Sequence, residues 1–250
     1  MPAAPDAAPV ALVSDTRYYV GPELVRALAR RGFRVVAGDA SAELVAEVAA
    51  LGSECVAVPA SADLSDPAAA ERLVSTCLAR FGRIDSAVMF SGQIVTGRFV
   101  ESSLDDLRSV VAGCLEEPYN FLRAVVPEMI SRGSGQILVI TSAAGARPTP
   151  GAPLYSAARA AATMLVRNVA GEIAATGVQV NAVGTNFMDF PAFLRATGAT
   201  DPAVRARIEA QVPMRRLGTM EEFAHFCMTF LDGGSGFTTG QFVAYAGGWA

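Results

Sequence analysis

Short apolar runs alternate with amphipathic stretches along the whole chain, the pattern of a parallel sheet covered by helices on both faces. Residues 10–13 read as the first strand. Residues 22–31 follow as a helix with proline at its first position, Gly32 stops it, and 33–37 form the second strand. The stretch 41–51 repeats the helical period, with Leu44, Val45, Val48 and Leu51 on one face and Gly52 at its end. A third strand is predicted at 55–58. Asp66 caps a helix that begins at Pro67, buries Leu73, Val74, Cys77, Leu78 and Phe81, and ends at Gly82. A fourth strand, 86–89, two helices, 103–114 and 118–131, and a fifth strand, 136–141, come next. An Ala-rich helix over 155–175, a sixth strand at 179–183 and a seventh at 241–244 complete the set. The segment 184–200 reads as irregular, and a connection of that length usually carries binding function.

With 250 residues, 52% hydrophobic and 18% charged, the chain supports one large core. The expectation is a single α/β domain over 1–250: a Rossmann-like, doubly wound, seven-stranded parallel sheet. A net charge of -4 offers no basic field for a phosphate backbone, so nucleic acid is excluded as a partner. No apolar run reaches the ~18 residues of a spanning helix. Residues 1–9, with Asp6 and no basic residue, read as a ragged cytoplasmic N-terminus. Cys55, Cys77, Cys114 and Cys227 stand far apart, and His225 is the sole histidine. No metal set follows from them; the thiols read as buried and His225 as structural. The chain has no lysine, so all 20 basic residues are arginine.

The chemistry concentrates in Ser142, just beyond the fifth strand, Tyr155 and Arg159. Four residues on a helix put Tyr155 and Arg159 on one face, about one turn apart. A phenol is a poor base at neutral pH, and a fixed guanidinium beside it favours the phenolate. Ser142 can hold a substrate oxygen while its proton moves.

This set resembles the short-chain dehydrogenase/reductase family, whose active site reads Ser, Tyr thirteen residues later and Lys four beyond, here Ser142, Tyr155 and Arg159. The resemblance extends to Asp63 in Ala62-Asp63-Leu64, to Ile84-Asp85 and to Pro127 and Met129 before Gly133. It breaks down at the nucleotide loop. The family's Thr-Gly-x-x-x-Gly-x-Gly lets the backbone approach a dinucleotide pyrophosphate. This chain has Ser14-Asp15-Thr16-Arg17-Tyr18-Tyr19-Val20-Gly21, keeping only Gly21. Asp15 and Glu23 oppose a phosphate by charge and Tyr19 by bulk. The family's Asn-Asn-Ala-Gly is here Met89-Phe90-Ser91-Gly92, its helix Asn aligns with Cys114, and Asp39 is read as a structural inheritance. Because the chain lacks lysine, Arg159 is weak as a signature, and the loop decides.

The halohydrin dehalogenases are the branch this combination resembles: Ser14, Tyr19 and Gly21 fit their first loop, and Ser142, Tyr155 and Arg159 their catalytic set. The resemblance implies a cofactor-independent carbon–halide lyase. Tyr155 would take the proton of a vicinal haloalcohol, and the oxygen would displace halide to close an epoxide; in reverse, azide, cyanide or nitrite would open it. It further implies a halide pocket of Tyr19, Asn186, Phe187 and Met188, with the amides of Phe187 and Met188 as donors, and a substrate pocket of Phe90, Pro153, Phe190, Phe193 and Trp249. The stretch Phe187-Met188-Asp189-Phe190-Pro191 and the tail resemble the G-type branch, which accepts bulkier epoxides. Asp189 is expected to be solvated. No cofactor and no metal is expected, and a cytoplasmic homotetramer is. Two alternatives stand beside this reading: an atypical NAD(P)-dependent oxidoreductase, and a non-catalytic dehydrogenase-like scaffold.

Overall fold

The computed structural model describes residues 8–61, 63–90, 92 and 94–250. Residues 1–7, Ala62 and Ser91, which entered the reading above, lie outside the described residues. The first half holds β1 (Val10–Val13), α1 (Gly21–Arg30), β2 (Arg34–Gly38), α2 (Ala42–Ala50) and β3 (Cys55–Val58). Then come α3 (Pro67–Phe81), β4 (Ser86–Phe90), α4 (Leu104–Val111), α5 (Glu117–Arg132), β5 (Gly135–Ser142), α6 (Pro153–Ile173) and β6 (Val178–Thr185). The last part holds β7 (Met188–Asp189), α7 (Pro191–Thr197), α8 (Pro202–Glu209), β8 (Gly218–Thr219), α9 (Met220–Met228) and β9 (Phe242–Tyr245).

Seven parallel strands stand in the order β3-β2-β1-β4-β5-β6-β9, as the doubly wound expectation requires. The order reverses between β1 and β4, and the crevice beyond the carboxyl ends of the strands at such a switch point is where ligands bind in this architecture. Continuous apolar runs such as Val10–Val13 follow from helices on both faces, which bury both sides of the strand. One core layer, with Leu73, Phe121 and Val166, lies under α3, α5 and α6. The other, with Leu24, Leu28 and Phe223, lies under α1 and α9.

Punctuation works as the residue chemistry dictates. The Asp66 carboxylate accepts from the Ala68 amide at 3.0 Å, and Gly82 ends α3 in the left-handed region at φ 69°. Two readings differ from the structure. The helices predicted at 103–114 and 118–131 are one continuous path, because a π-turn at Ala112–Glu116 joins α4 to α5. The segment 184–200 is not irregular, since β7 pairs with β8 and α7 follows directly. Two-residue strands paired across such a distance leave no local periodicity to read.

Candidate active site

Ser142 ends β5 at the floor of the switch-point crevice. Its Oγ accepts from the Ala144 amide at 3.1 Å and donates to the Thr185 carbonyl of β6 at 3.4 Å, so the hydroxyl is held by backbone from two elements. Tyr155 sits in the first turn of α6, buried among Cys114, Ala144, Ala152 and Ala158. One turn on, Arg159 is 4% exposed and holds its guanidinium carbon 5.1 Å from the Tyr155 ring centroid. Burial opposes the Arg159 charge, but Tyr155, Cys114 and Glu117 together more than offset it, and the guanidinium stays protonated above its ordinary range. The predicted set therefore converges, with α6 supplying the helical spacing and β5 the serine.

Gly92 completes this arrangement and was missed by sequence reasoning, although it is the one glycine retained from the family's tetrapeptide. Its φ is 125°, and a Cβ there would lie 1.7 Å from Arg159 Nη2. The guanidinium occupies the space a side chain would take. Gly92→Ala is therefore expected to destabilise the protein by about 2–3 kcal/mol, from backbone strain and a displaced buried charge. Urea denaturation measures it, and an unchanged midpoint would show that Arg159 has room to retreat.

Around this floor lies a crevice of about 350 Å³. Tyr18, Tyr19, Phe90, Ile94, Phe187, Phe190 and Phe193 form its apolar walls. Thr141, Thr185 and Asn186 add polar groups, and the buried Thr141 hydroxyl has no hydrogen-bond partner among the described residues. Tyr19 is the wall that closes the first loop. Its Oη lies 2.7 Å from Thr185 Oγ1, and its ring packs edge-on against Phe90 and Phe190 at 5.5 and 4.9 Å. Burial pushes this phenol far above its ordinary range, so it is a neutral plug. Its φ of 56° is the left-handed region where glycine is at ease. Thr185, the second residue that sequence reasoning missed, thus holds Tyr19 through its side chain and Ser142 through its carbonyl.

The first loop corrects the charge argument. Asp15 is buried, and its carboxylate accepts from the Arg17 amide at 2.9 Å, Nε at 3.1 Å and Nη2 at 2.9 Å. The expected bare negative charge is neutralised two residues along. Gly21 still serves close approach, but to the loop itself: a Cβ there would lie 2.2 Å from the Asp15 carbonyl. Asp39 accepts from the amides of Ala60 and Ser61 at 2.7 and 3.2 Å, as a structural carboxylate does.

Several pocket expectations change. The Phe187 amide donates to Asn186 Oδ1 at 2.9 Å, so it is not a free anion donor. Its ring and those of Phe190 and Phe193 do line the crevice, as do Asn186 and Met188. Pro153 does not; as the first residue of α6 it is exposed and borders a separate depression with Val95 and Gly97. Trp249 also stays outside. It meets Phe187 edge-on at 5.6 Å beneath Arg147, whose Nη1 donates to the Trp249 carbonyl at 2.6 Å, and so it docks on its own chain. Asp189 is partly exposed, as expected, and its carboxylate is paired with Arg205 Nη2 at 2.5 Å. His225 is exposed in the last turn of α9, and the four cysteines are buried and form no disulfide. Among the described residues no group of three or more His, Cys, Asp or Glu could hold a metal, and no helix is long and apolar enough to cross a membrane.

A seven-stranded parallel sheet with Ser, Tyr and a basic residue converging at its switch point defines a protein of the short-chain dehydrogenase/reductase class. The chain belongs to that superfamily: the enoyl-(acyl carrier protein) reductase family model matches residues 20–250, beginning at the last two residues of the divergent loop. The 3-oxoacyl-[acyl-carrier-protein] reductase of Synechocystis sp. is 33% identical over 249 residues, covering 96% of each chain. The 2,5-dichloro-2,5-cyclohexadiene-1,4-diol dehydrogenase LinX of Sphingobium indicum is 27% identical, again over 96% of each. Levodione reductase superposes with a TM-score of 0.85 at 25% identity, covering 96% of each chain. ElxO with NADP bound superposes at 0.86 with 19% identity, covering 97% of this chain and 99% of its own, which supports the fold alone.

These comparisons overturn the carbon–halide lyase expectation, and with it the haloalcohol substrates and cofactor independence, because the relatives carry reductase and dehydrogenase names. The physical reason is that Ser142, Tyr155 and Arg159 manage a proton on an oxygen. Alcohol–carbonyl chemistry and epoxide closure both need that, so the set does not choose between them.

Proposed function

We propose that this chain is an atypical short-chain oxidoreductase that interconverts an alcohol and a carbonyl on an uncharged, largely apolar small molecule. The observation that carries the reading is the buried Tyr155 phenol under the Arg159 guanidinium at 5.1 Å, facing a crevice it shares with Ser142. Ser142 holds the substrate oxygen. Tyr155 gives that oxygen a proton in the reductive direction and takes it back in the oxidative one, and Arg159 stabilises the phenolate between the two. The aromatic walls keep water from the reacting centre and select against charged substrates, whose desolvation they do not offset.

The family's nicotinamide dinucleotide supplies or accepts hydride when bound. The first loop as it stands does not fit one: Tyr19 fills the space beyond β1, and the Asp15 carbonyl takes the approach at Gly21. Either the loop moves to admit the nucleotide or affinity is low, and the Tyr19 variant treated in the Discussion separates these. A cytoplasmic homotetramer, with exposed Leu104, Tyr119 and Met164 of α4, α5 and α6 covered between subunits, completes the proposal. Light scattering would show its mass.

The decisive experiment offers purified protein a panel of small cyclic and branched ketones and alcohols with NADH, NADPH or their oxidised forms, following nucleotide absorbance. Conversion that depends on nucleotide is the expected result. Folded protein that turns over no member of the panel with any nucleotide would overturn the proposal.

A further inference from the structure

The turn that follows β6 separates two spaces. Asn186, Phe187 and Met188 line the crevice on one side, and the same three residues line a second cavity, of about 270 Å³, on the other. Ser142 reaches this partition directly, since its hydroxyl donates to the Thr185 carbonyl, one residue before Asn186. The far wall of the second cavity is the C-terminal tail, laid against Val212, Pro213 and Met214. The Met214 amide donates to the Gly247 carbonyl at 3.1 Å, and a Cβ on Gly247, at φ 58°, would lie 2.6 Å from Val212 Cγ1. The wall is therefore fixed in place by close backbone approach. Met188, Val212, Met214 and Ala244 give the cavity apolar surface. The charged group on its lining, Arg216, holds Nη1 and Nη2 at 2.8 and 2.7 Å from the Glu222 carboxylate, which neutralises it.

Phe187 is the movable part of the partition. Its backbone is held at both ends: the amide donates to Asn186 Oδ1 at 2.9 Å, and the carbonyl accepts from the Gly218 amide at 3.0 Å. Together these keep φ at 56°, a conformation that is rare for a bulky residue and concentrates at ligand clamps. The ring, by contrast, is half-buried and meets Trp249 edge-on at 5.6 Å, a contact that a change of rotamer breaks. We propose that the active site is bipartite: the crevice holds the reacting oxygen, and the cavity behind Phe187 receives an uncharged, ring-sized apolar substituent of the same substrate, admitted when the Phe187 ring turns aside. The inference rests on the oxidoreductase reading above and narrows its substrate class. An apolar cavity of about 150 Å³ is enough for benzene, so one of about 270 Å³ has room for a six-membered ring. The apolar walls favour such a ring, and with Arg216 already paired they give a charged group no partner.

Trp249 is the chain's one tryptophan, so its fluorescence reports on Phe187 with no label and no turnover. Titrated into the intact protein without nucleotide, 4-phenyl-2-butanone should shift that emission in a saturable way. Butanone, which carries the same carbonyl without the ring, should leave it unchanged at roughly ten-fold higher concentration, the discrimination expected of a seat for one apolar ring. Two variants reach the cavity from opposite sides. Ala244→Phe fills it from β9, and Met214→Asp puts a charge on its wall; each should raise the Kd for the phenyl ketone at least about five-fold. Met214 is 60% exposed, so Met214→Asp keeps its fold even where the larger Ala244→Phe side chain does not. No response to the phenyl ketone, an equal response to butanone, or a Kd that Met214→Asp leaves unchanged overturns the proposal. If 4-phenyl-2-butanone binds as stated but is reduced with neither NADH nor NADPH, the oxidoreductase reading beneath it is what has failed, and the cavity stands.

Discussion

Tyr155→Phe should reduce kcat by roughly 10²- to 10⁴-fold, the contribution of one positioned proton-transfer group, while leaving KM within a few-fold. The substitution removes one oxygen and keeps the ring, so the packing of Tyr155 against Cys114, Ala144 and Ala158 survives, as does the face that Arg159 covers. Stability should change by no more than about 1 kcal/mol. Steady-state kinetics and thermal unfolding on the same preparation therefore separate chemistry from folding. A variant that retains more than a tenth of parental kcat with an intact fold would place the proton donor elsewhere, and Ser142 would become the first group to test.

The second large effect belongs to Tyr19. Tyr19→Gly removes a ring that contacts Phe90, Phe190 and Phe223 and a hydroxyl bonded to Thr185. Loss of the ring should cost about 3–5 kcal/mol, of which about 1 kcal/mol returns because glycine accepts the positive φ without strain. The same change empties the space beyond β1. Dinucleotide affinity should rise at least ten-fold, about 1.4 kcal/mol, in a fluorescence titration. Unchanged affinity would show that Tyr19 already moves aside when nucleotide enters, or that the loop backbone at Asp15 and Gly21 is the obstacle. Trp249→Ala makes a useful comparison, because it loosens Phe187 on the opposite wall without touching the first loop.

Much of the scaffold was legible from residue order, because its causes are local. Continuous apolar runs mark strands buried on both faces, as in β1 and β4. Asp66 with Pro67 and Gly82 marks the two ends of α3 through side-chain chemistry that acts within a turn. The catalytic spacing was legible for the same reason, since residues four apart on a helix share a face wherever the helix lies.

The readings that failed depended on what stands next to a residue in space. Asp15 looked like a charge that would repel a phosphate, and Arg17 cancels it. The Phe187 amide looked free for an anion, and the Asn186 side chain occupies it. Pro153 lies only two residues from Tyr155, yet it is exposed and borders a separate depression instead of the crevice. Trp249 lies at the chain end, where sequence position says nothing about its contact with Phe187 and Arg147.

By itself, then, the sequence determined a doubly wound sheet and a proton-handling trio, both set by periodicities of two and 3.6 residues and by caps that act within one turn. Only the tertiary structure decided how that trio is furnished. It placed Arg159 against Gly92, set Tyr19 as a plug on Thr185 and neutralised Asp15. Each of these is a contact between elements, and burial and charge at a contact depend on distances that residue order does not contain.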